Sequence, residues 1–164
     1  MNEFSIEFDF DDVNGPSPDN PVVLVGVRYT IGGEDIVPSG KSGMSYKNDY
    51  LPIALRQWLN CAQALDHGEE HTFEFAEYSD VQFQMNPRDE YVDLSVTKRH
   101  RDEIIESHKL RIDQLACECV DATERYIDWL FDQQPSLASN SSIEDLEELA
   151  ANVEGNVTDG RDGR

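Results

Sequence analysis

Residues 71–97, HTFEFAEYSDVQFQMNPRDEYVDLSVT, decide the fold class of the chain. Apolar and polar residues alternate in three runs, at 71–78, 81–85 and 91–97, which is the period of a strand with one buried face. Only short stretches of residues that favour turns separate these runs. The pattern therefore predicts a three-stranded antiparallel meander with one face in water.

The residues before the meander predict further strands and a helix. Aromatic and acidic residues alternate at 3–10, and the apolar run VVLVGVRYTI at 22–31 predicts a central strand covered on both faces. A short extended stretch at 35–37 is expected to add a third strand. Pro52 suits the first turn of a helix and Gly68 its left-handed stop, so we expect a helix with an apolar stripe between them.

The residues after the meander predict a long helix over 101–133. Apolar residues recur there every three or four positions, and Pro135 ends the pattern. Ser141 and Glu144 form a capping-box pattern for a short acidic helix at 143–153. The last residues, VEGNVTDGRDGR, are poor in apolar side chains, which predicts a disordered tail.

Together these elements predict an α+β fold for a single domain at 1–133. We expect an antiparallel sheet of five to six strands, built from an N-terminal hairpin and the meander. Two helices, the C-terminal one long, are expected to pack on one face of that sheet. Residues 134–164 are predicted to form an acidic linker, the short helix and the disordered tail.

The charge pattern indicates the solvent in which the chain works. The chain has 34 acidic and 13 basic residues, a formal charge of −21, and its carboxylates are interspersed among patterned apolar positions. At molar salt the Debye length falls to roughly 3 Å, which screens the self-repulsion of such a surface. A carboxylate-rich, lysine-poor composition favours a halophilic protein of the haloarchaeal type over an ordinary acidic bacterial one.

Three cysteines, an odd number without a disulfide framework, fit a reducing compartment. The first residues, MNEFSIEFDFDD, do not resemble a signal peptide, and no run approaches the ~20 apolar residues of a membrane span. We therefore expect a cytoplasmic protein that has no membrane partner.

Several short patterns resemble motifs for cofactors or metals, and each lacks something that the chemistry needs. Gly40-Lys41-Ser42 matches the end of a phosphate-binding loop, but Asp35 stands where the first glycine belongs. Cys117 and Cys119, two apart on a helix, point about 200° away from each other and cannot share a metal. No nucleophile and base can be paired either. The sequence thus predicts no catalytic residue, no cofactor and no metal.

One basic cluster interrupts the acidic chain at 98–101. It consists of Lys98, Arg99, His100 and Arg101. The cluster is a candidate contact for an acidic partner or a phosphate, but a local counter-charge for Asp102, Glu103 and Glu106 is the favoured interpretation. A net charge of −21 opposes nucleic acid, so a protein partner is favoured.

The order of elements, with the helix LPIALRQWL at 51–59 and the F-x-F-x-E run at 73–77, resembles a group of small α+β proteins of bacteria and haloarchaea. Some of these look like the immunity proteins encoded beside polymorphic toxins. The resemblance covers 3–133 and rests on element order and a few apolar positions. The absence of a catalytic constellation and the small size favour a non-enzymatic protein-binding module, either an immunity-type inhibitor or an accessory subunit.

Two other functions stay open at this point. An enzyme could use the polar, glycine-rich segment at 38–50, with Asp49 and Tyr50 at its end. A self-associating structural protein, a homo-oligomer, could use the aromatic end of the long helix at 129–131.

Overall fold

The computed structural model describes residues 3–11, 13–36, 47–75, 81–99 and 103–162. The strands are β1 Phe4–Asp9, β2 Val23–Ile31, β3 Glu34–Asp35, β4 Lys47–Leu51, β5 His71–Glu74, β6 Val81–Arg88, β7 Tyr91–Lys98 and β8 Ile104–Arg111. The helices are α1 Ile53–Asp66, α2 Ile112–Gln133 and α3 Ser141–Asp162, with a 3-10 turn at Pro135–Ser139. None of the helices in these segments is long and apolar enough to cross a membrane.

Strand β2 is the centre of the first sheet. It pairs antiparallel with β1 on one side and with β3 and β4 on the other, so the predicted central position is confirmed. The prediction that both faces of this strand are covered was wrong. Leu24 is 42% exposed, because the helices pack on the opposite face, where Val23, Val25 and Val27 are buried.

The predicted meander is confirmed as β5, β6 and β7, which form a second antiparallel sheet with β8 in sequence order. The prediction of a helix from residue 101 was wrong for its first part. Ile104–Arg111 is a strand paired with β7, and the helix begins only at Ile112. Pairing with β7 supplies backbone hydrogen bonds that compete with those of a helix.

The α+β class with antiparallel sheets and a long C-terminal helix is confirmed, but the single sheet of five to six strands was wrong. There are two four-stranded sheets. They stay separate because β2 already has partners along both sides and α2 lies along the outer edge of β1.

The third helix is longer than the short helix expected at 143–153. It runs over Ser141–Asp162, through residues predicted to be disordered, and its amides are capped by the side chain of Asn140 rather than by Ser141. Ile143, Leu146 and two further apolar residues of α3 are buried in the same cluster as the rest of the core. The domain limit at residue 133 stays a prediction.

An aromatic cluster joins the two sheets. Trp58 of α1 is fully buried and contacts Phe4 of the first sheet and Phe73 of the second, with ring centroids 5.2 and 4.4 Å apart. Its indole N–H donates to the hydroxyl of Tyr29 at 3.0 Å, so the polar end of each ring has a partner. Truncating such a side chain typically costs about 3–5 kcal/mol.

The predicted glycine stop of the first helix is confirmed. Gly68 has a φ of +75° after α1, and the Glu69 amide donates back to the carbonyl of Ala64, as in a Schellman stop. Gly32 and Gly33, with φ of +61° and +85°, form the turn between β2 and β3.

Candidate functional site

The outer edge of strand β1 is covered by side chains of helix α2. Gln114 bonds to both backbone groups of Phe4: its Oε1 accepts from the amide at 2.9 Å and its Nε2 donates to the carbonyl at 2.8 Å. Glu118 accepts from the amide of Ile6, and Arg125 donates to the carbonyl of Ile6, each at 2.9 Å. The helix thus satisfies backbone groups that a neighbouring strand would otherwise bind.

The outer edge of strand β5 is covered by the same device. Gln57 of α1 donates from Nε2 to the carbonyl of Glu74 at 2.7 Å, and its Oε1 accepts from the Glu74 amide at 3.1 Å. A glutamine amide is well suited to this role, since it offers one donor and one acceptor side by side. Two strand edges are therefore closed to further pairing at these positions.

Among the described residues, strand β8 is the outermost strand of the second sheet and pairs only with β7. The amide of Ile112 donates to the carbonyl of Glu90 at 2.9 Å, which marks those two residues as a hydrogen-bonded pair of the ladder. Because such pairs alternate along antiparallel strands, the backbone groups of Ser107 and Lys109 point away from β7. Within the described segments no side chain caps them as Gln57 and Gln114 cap the other edges.

The start of β8 also exposes large apolar side chains. Ile104 is 62% exposed and Ile105 41% exposed. The ladder shifts register between Val96 and Thr97, so that Thr97 lies opposite Ile104 and the intervening Ile105 is left without an opposite partner. Exposed isoleucines beside unpaired backbone groups are features of a strand that binds another chain.

The surroundings of β8 differ in charge from the rest of the molecule. Residues 88–111 contain six lysines and arginines and six aspartates and glutamates, whereas the whole chain carries −21. Strand β8 itself has one acidic residue, Glu106, against Lys109 and Arg111. This edge therefore repels another acidic protein less than the chain as a whole does.

The side chains of β8 form two rows. Glu106 and His108 lie on one face, and their Oε2 and Nε2 atoms are 3.1 Å apart. On the other face Ser107 contacts Ser95 through hydroxyl oxygens 3.3 Å apart, and the Lys109 ammonium lies 4.4 Å from the centre of the Tyr91 ring. Both rows present polar groups at spacings that suit cross-strand pairs.

The predicted interaction cluster adjoins this edge. Lys98 ends β7 and lies 3.7 Å from Glu103, one of the acids expected to neutralise the cluster. Arg99 reaches a different carboxylate, Glu74 of β5, at 3.5 Å. His100 and Arg101 lie outside the described residues, so the cluster as an interaction site stays a prediction.

The segment considered for an enzyme is described only from residue 47 onward. Asp49 is fully buried on the core side of β4, opposite Val25, and its Oδ1 accepts from the amide of Tyr50 at 2.9 Å. Desolvation and the nearby Asp49 carboxylate raise the pKa of Tyr29, so this phenol stays protonated. Residues 38–46 lie outside the described segments, and the enzymatic alternative stays a prediction.

The aromatic end of α2, expected to mediate self-association, is engaged within the chain. The ring of Trp129 stacks on Phe10 at 4.5 Å, and both are partly buried against the core. The Arg125 guanidinium lies 5.5 Å from the Phe8 ring on the same side. These rings already pack within the chain, and self-association through them stays a prediction.

A cavity of about 80 Å³ lies where α1 and α3 end and α2 begins. Five charged residues contribute to its lining, namely Asp66, Asp89, Glu90, Arg111 and Asp113. The guanidinium of Arg111 binds both carboxylate oxygens of Asp113, at 3.0 and 3.1 Å, so the cation at this site is already paired. Nowhere in the described segments do three or more His, Cys, Asp or Glu side chains form a group that could hold a metal.

The three cysteines occupy two environments. Cys117 is exposed and Cys119 is buried, which confirms that residues two apart on this helix face different sides. Burial raises the pKa of Cys119 and of Cys61, so both thiols are protonated and act as small apolar side chains.

Comparison of the chain with family models, with curated proteins and with solved structures found no match. The geometry of β8 is therefore the feature that bears on function. Sequence reasoning missed this edge because it assigned the segment to a helix. The signal that could have found it is the adjacent pair Ile104-Ile105 followed by five polar or charged residues in six.

Proposed function

We propose that the chain is a non-enzymatic protein-binding module that takes up a strand of another polypeptide along the edge of β8. The observation that carries the proposal is the contrast between edges. Helix side chains seal β1 and β5, whereas β8 presents Ser107 and Lys109 backbone groups with no such cap in the described segments. An immunity-type inhibitor and an accessory subunit are both forms that such a module takes.

An extended polypeptide is the ligand that best matches this geometry. Outward-pointing residues of a strand repeat every second position, about 6.8 Å apart, and a second strand offers donors and acceptors at the same interval. Pockets between alternate side chains then supply specificity. Ile104 and Ile105 add apolar area at one end of the edge.

We further propose a cytoplasm of high salt as the setting. Proteins of such a compartment are acidic themselves, and long-range repulsion between them is screened at molar KCl. Under these conditions short-range strand pairing and apolar contact decide affinity. The charge balance of 88–111 supports contact at this edge rather than at the strongly acidic remainder.

Replacing Lys109 with proline tests the proposal. Proline removes the outward amide of residue 109 but no bond of the ladder with β7, and edge strands accept proline at such positions. The matched control is Lys109→Gln, which removes the charge and keeps the amide. Tagged wild type, Lys109→Pro and Lys109→Gln are expressed in the native host and purified at molar KCl.

We expect a polypeptide to copurify with wild type and Lys109→Gln, and to be lost or reduced at least tenfold with Lys109→Pro. Circular dichroism and urea unfolding establish that the proline variant is folded. Equal recovery by the folded proline variant and wild type would refute strand addition at β8. If wild type recovers no polypeptide, not even an untagged second copy of the chain, the binding function itself would be refuted.

A further inference from the structure

We infer that the strand that pairs with β8 is β8 of a second copy of this chain. The second sheet of each copy then joins that of the other into one continuous antiparallel sheet. This inference rests on the proposed function and names its partner. Strand β8 can pair with itself antiparallel about a two-fold axis that lies between the two copies of one residue. The outward backbone groups of Ser107 and Lys109 can bond across an axis at Ser107, at Lys109 or at His108 between them.

The axis at Ser107 gives the better match of side chains. Residues equally far from the axis then lie opposite one another, so Glu106 of each copy faces His108 of the other on the same side of the sheet. Within one chain these groups are already 3.1 Å apart. The two copies thus form a ring of two carboxylates and two imidazoles, in which each carboxylate lies between two imidazoles.

The same axis places Ser107 of one copy opposite Ser107 of the other, as a hydrogen-bonded pair. Since Ser107 is also 3.3 Å from Ser95, a row of small hydroxyl side chains crosses the join and lets the backbones approach. An axis at Lys109 would instead bring two ammonium groups face to face. An axis at His108 would set Glu106 opposite Leu110, without a charge partner.

Charge explains why a second copy can approach here at all. Two molecules of −21 repel one another over most of their surfaces. Strand β8, with one carboxylate against Lys109 and Arg111, is close to neutral, and pairing there keeps the acidic surfaces apart. Molar salt screens the remaining repulsion, since the Debye length is then about 3 Å.

The test is the mass of the full chain by sedimentation equilibrium in about 3 M KCl. We expect wild type to approach twice the 18.6 kDa of one chain as concentration rises. Ser107→Pro removes the outward amide at the axis and should be monomeric, whereas Ser107→Ala keeps the amide and should dimerise like wild type. Unfolding curves establish that each variant is folded.

A pair of charge variants keeps the test independent of proline. Glu106→Lys sets a cation opposite His108 of the second copy and should weaken the dimer at least tenfold. Exchanging the two residues, Glu106→His with His108→Glu, restores opposite neighbours and should recover it. Dimers of equal strength in wild type and Glu106→Lys would overturn the proposed register.

The two proposals fail in different ways. A wild type that stays monomeric at the highest soluble concentration would overturn the second copy as partner. If that monomer still recovers a different polypeptide from its host, and Lys109→Pro abolishes the recovery, strand addition at β8 stands. A dimer that Ser107→Pro leaves intact would show that the copies meet at another surface, and would overturn the inference.

Discussion

At the scale of single residues, two buried threonines show how much a hydroxyl depends on its partner. Thr97 is 2% exposed and its Oγ1 has no hydrogen-bond partner among the described residues, whereas Thr123 is fully buried and its Oγ1 donates to the carbonyl of Cys119 at 2.8 Å. An unsatisfied buried hydroxyl carries a desolvation cost of about 1–3 kcal/mol. The satisfied one recovers most of that cost.

Thr97→Val is therefore expected to raise the free energy of unfolding by about 1 kcal/mol, because valine has the same shape and no polar atom. Thr123→Val is the matched control and should leave stability unchanged or lower it by about 1 kcal/mol. Urea unfolding of the two variants at molar KCl measures both changes. A Thr97→Val variant less stable than wild type would show that the hydroxyl has a partner after all.

Glu118 gives a prediction with a defined dependence on pH. Burial raises the pKa of this carboxyl, against the hydrogen bond from the Ile6 amide and the charge of Arg125, which lower it. A folded-state pKa above the unfolded value means that the charged form destabilises the fold at neutral pH. That penalty fades as pH falls through the folded pKa toward the unfolded one.

Glu118→Gln should accordingly be at least as stable as wild type at pH 7, since the amide oxygen still accepts from Ile6. The advantage should shrink as pH falls through the raised folded-state pKa toward the unfolded one, because the wild-type carboxyl then becomes neutral too. Urea unfolding of both proteins at a series of pH values gives the difference in their free energies of unfolding. The contributions of the other carboxylates cancel in this difference, because both proteins contain them. An advantage that grows toward low pH would contradict the sign of the shift.

At the scale of elements, a helix can seal a strand because their repeats nearly coincide. Four residues of helix rise about 6 Å and two residues of strand span about 6.8 Å. Gln114 and Glu118 are four apart, and they bind the amides of Phe4 and Ile6, which are two apart. Helix α2 therefore follows β1 in the place of a neighbouring strand.

Gln114→Ala should lower the free energy of unfolding by about 1–3 kcal/mol, because both backbone groups of Phe4 lose their partner. The uncovered edge should also promote association that light scattering detects. Gln133→Ala, at an exposed position in the last turn of the same helix, is the control and should change stability by less than about 0.5 kcal/mol. Equal effects of the two substitutions would refute the sealing role.

The sequence predicted those elements whose apolar pattern has a single period. The meander and α1 were found because Phe73, Phe83 and Leu94 alternate with polar residues and Trp58 lies on a helical stripe. Strand β8 was mistaken for a helix because Ile104, together with Ile105, His108 and Ile112, also fits a helical spacing, and an edge strand need not alternate. Strand β4 was missed because it buries an aspartate where an apolar residue is the usual choice.

The candidate site could be predicted only in part. The basic cluster at 98–101 drew attention to the connection between β7 and β8, which adjoins the free edge. The edge itself is a property of backbone groups and of what the helices leave uncovered. Gln57 and Gln114 look like ordinary surface residues in the sequence, since their partners are 17 and 110 positions away.

At the scale of the whole molecule, the charge of −21 sets the conditions under which the fold is stable. Among the described residues, ion pairs are few compared with the number of acidic side chains. Most of these pairs lie at the surface, as do those of Arg28 with Glu7 and Asp35. Exposed pairs contribute little individually. We therefore expect screening by salt, rather than pairing, to be the main relief from repulsion.

The melting temperature should rise by tens of degrees between dilute buffer and about 2–3 M KCl. Differential scanning calorimetry over a series of KCl concentrations measures the change. Sucrose, which is excluded from protein surfaces but does not screen charge, is the control. A melting curve insensitive to KCl, or an equal rise in sucrose, would contradict the role assigned to screening.

Hydrogen exchange of individual amides in about 3 M KCl tests the account of β8 most directly. The ladder predicts that the amides of His108 and Leu110 are protected at all protein concentrations, because they face β7. Those of Ser107 and Lys109 should exchange fast in dilute solution and become protected as a second strand binds. The claim that β8 is a binding edge would be contradicted if the amides of Ser107 and Lys109 stay unprotected under all conditions. These conditions are every protein concentration and the addition of every polypeptide recovered from the host.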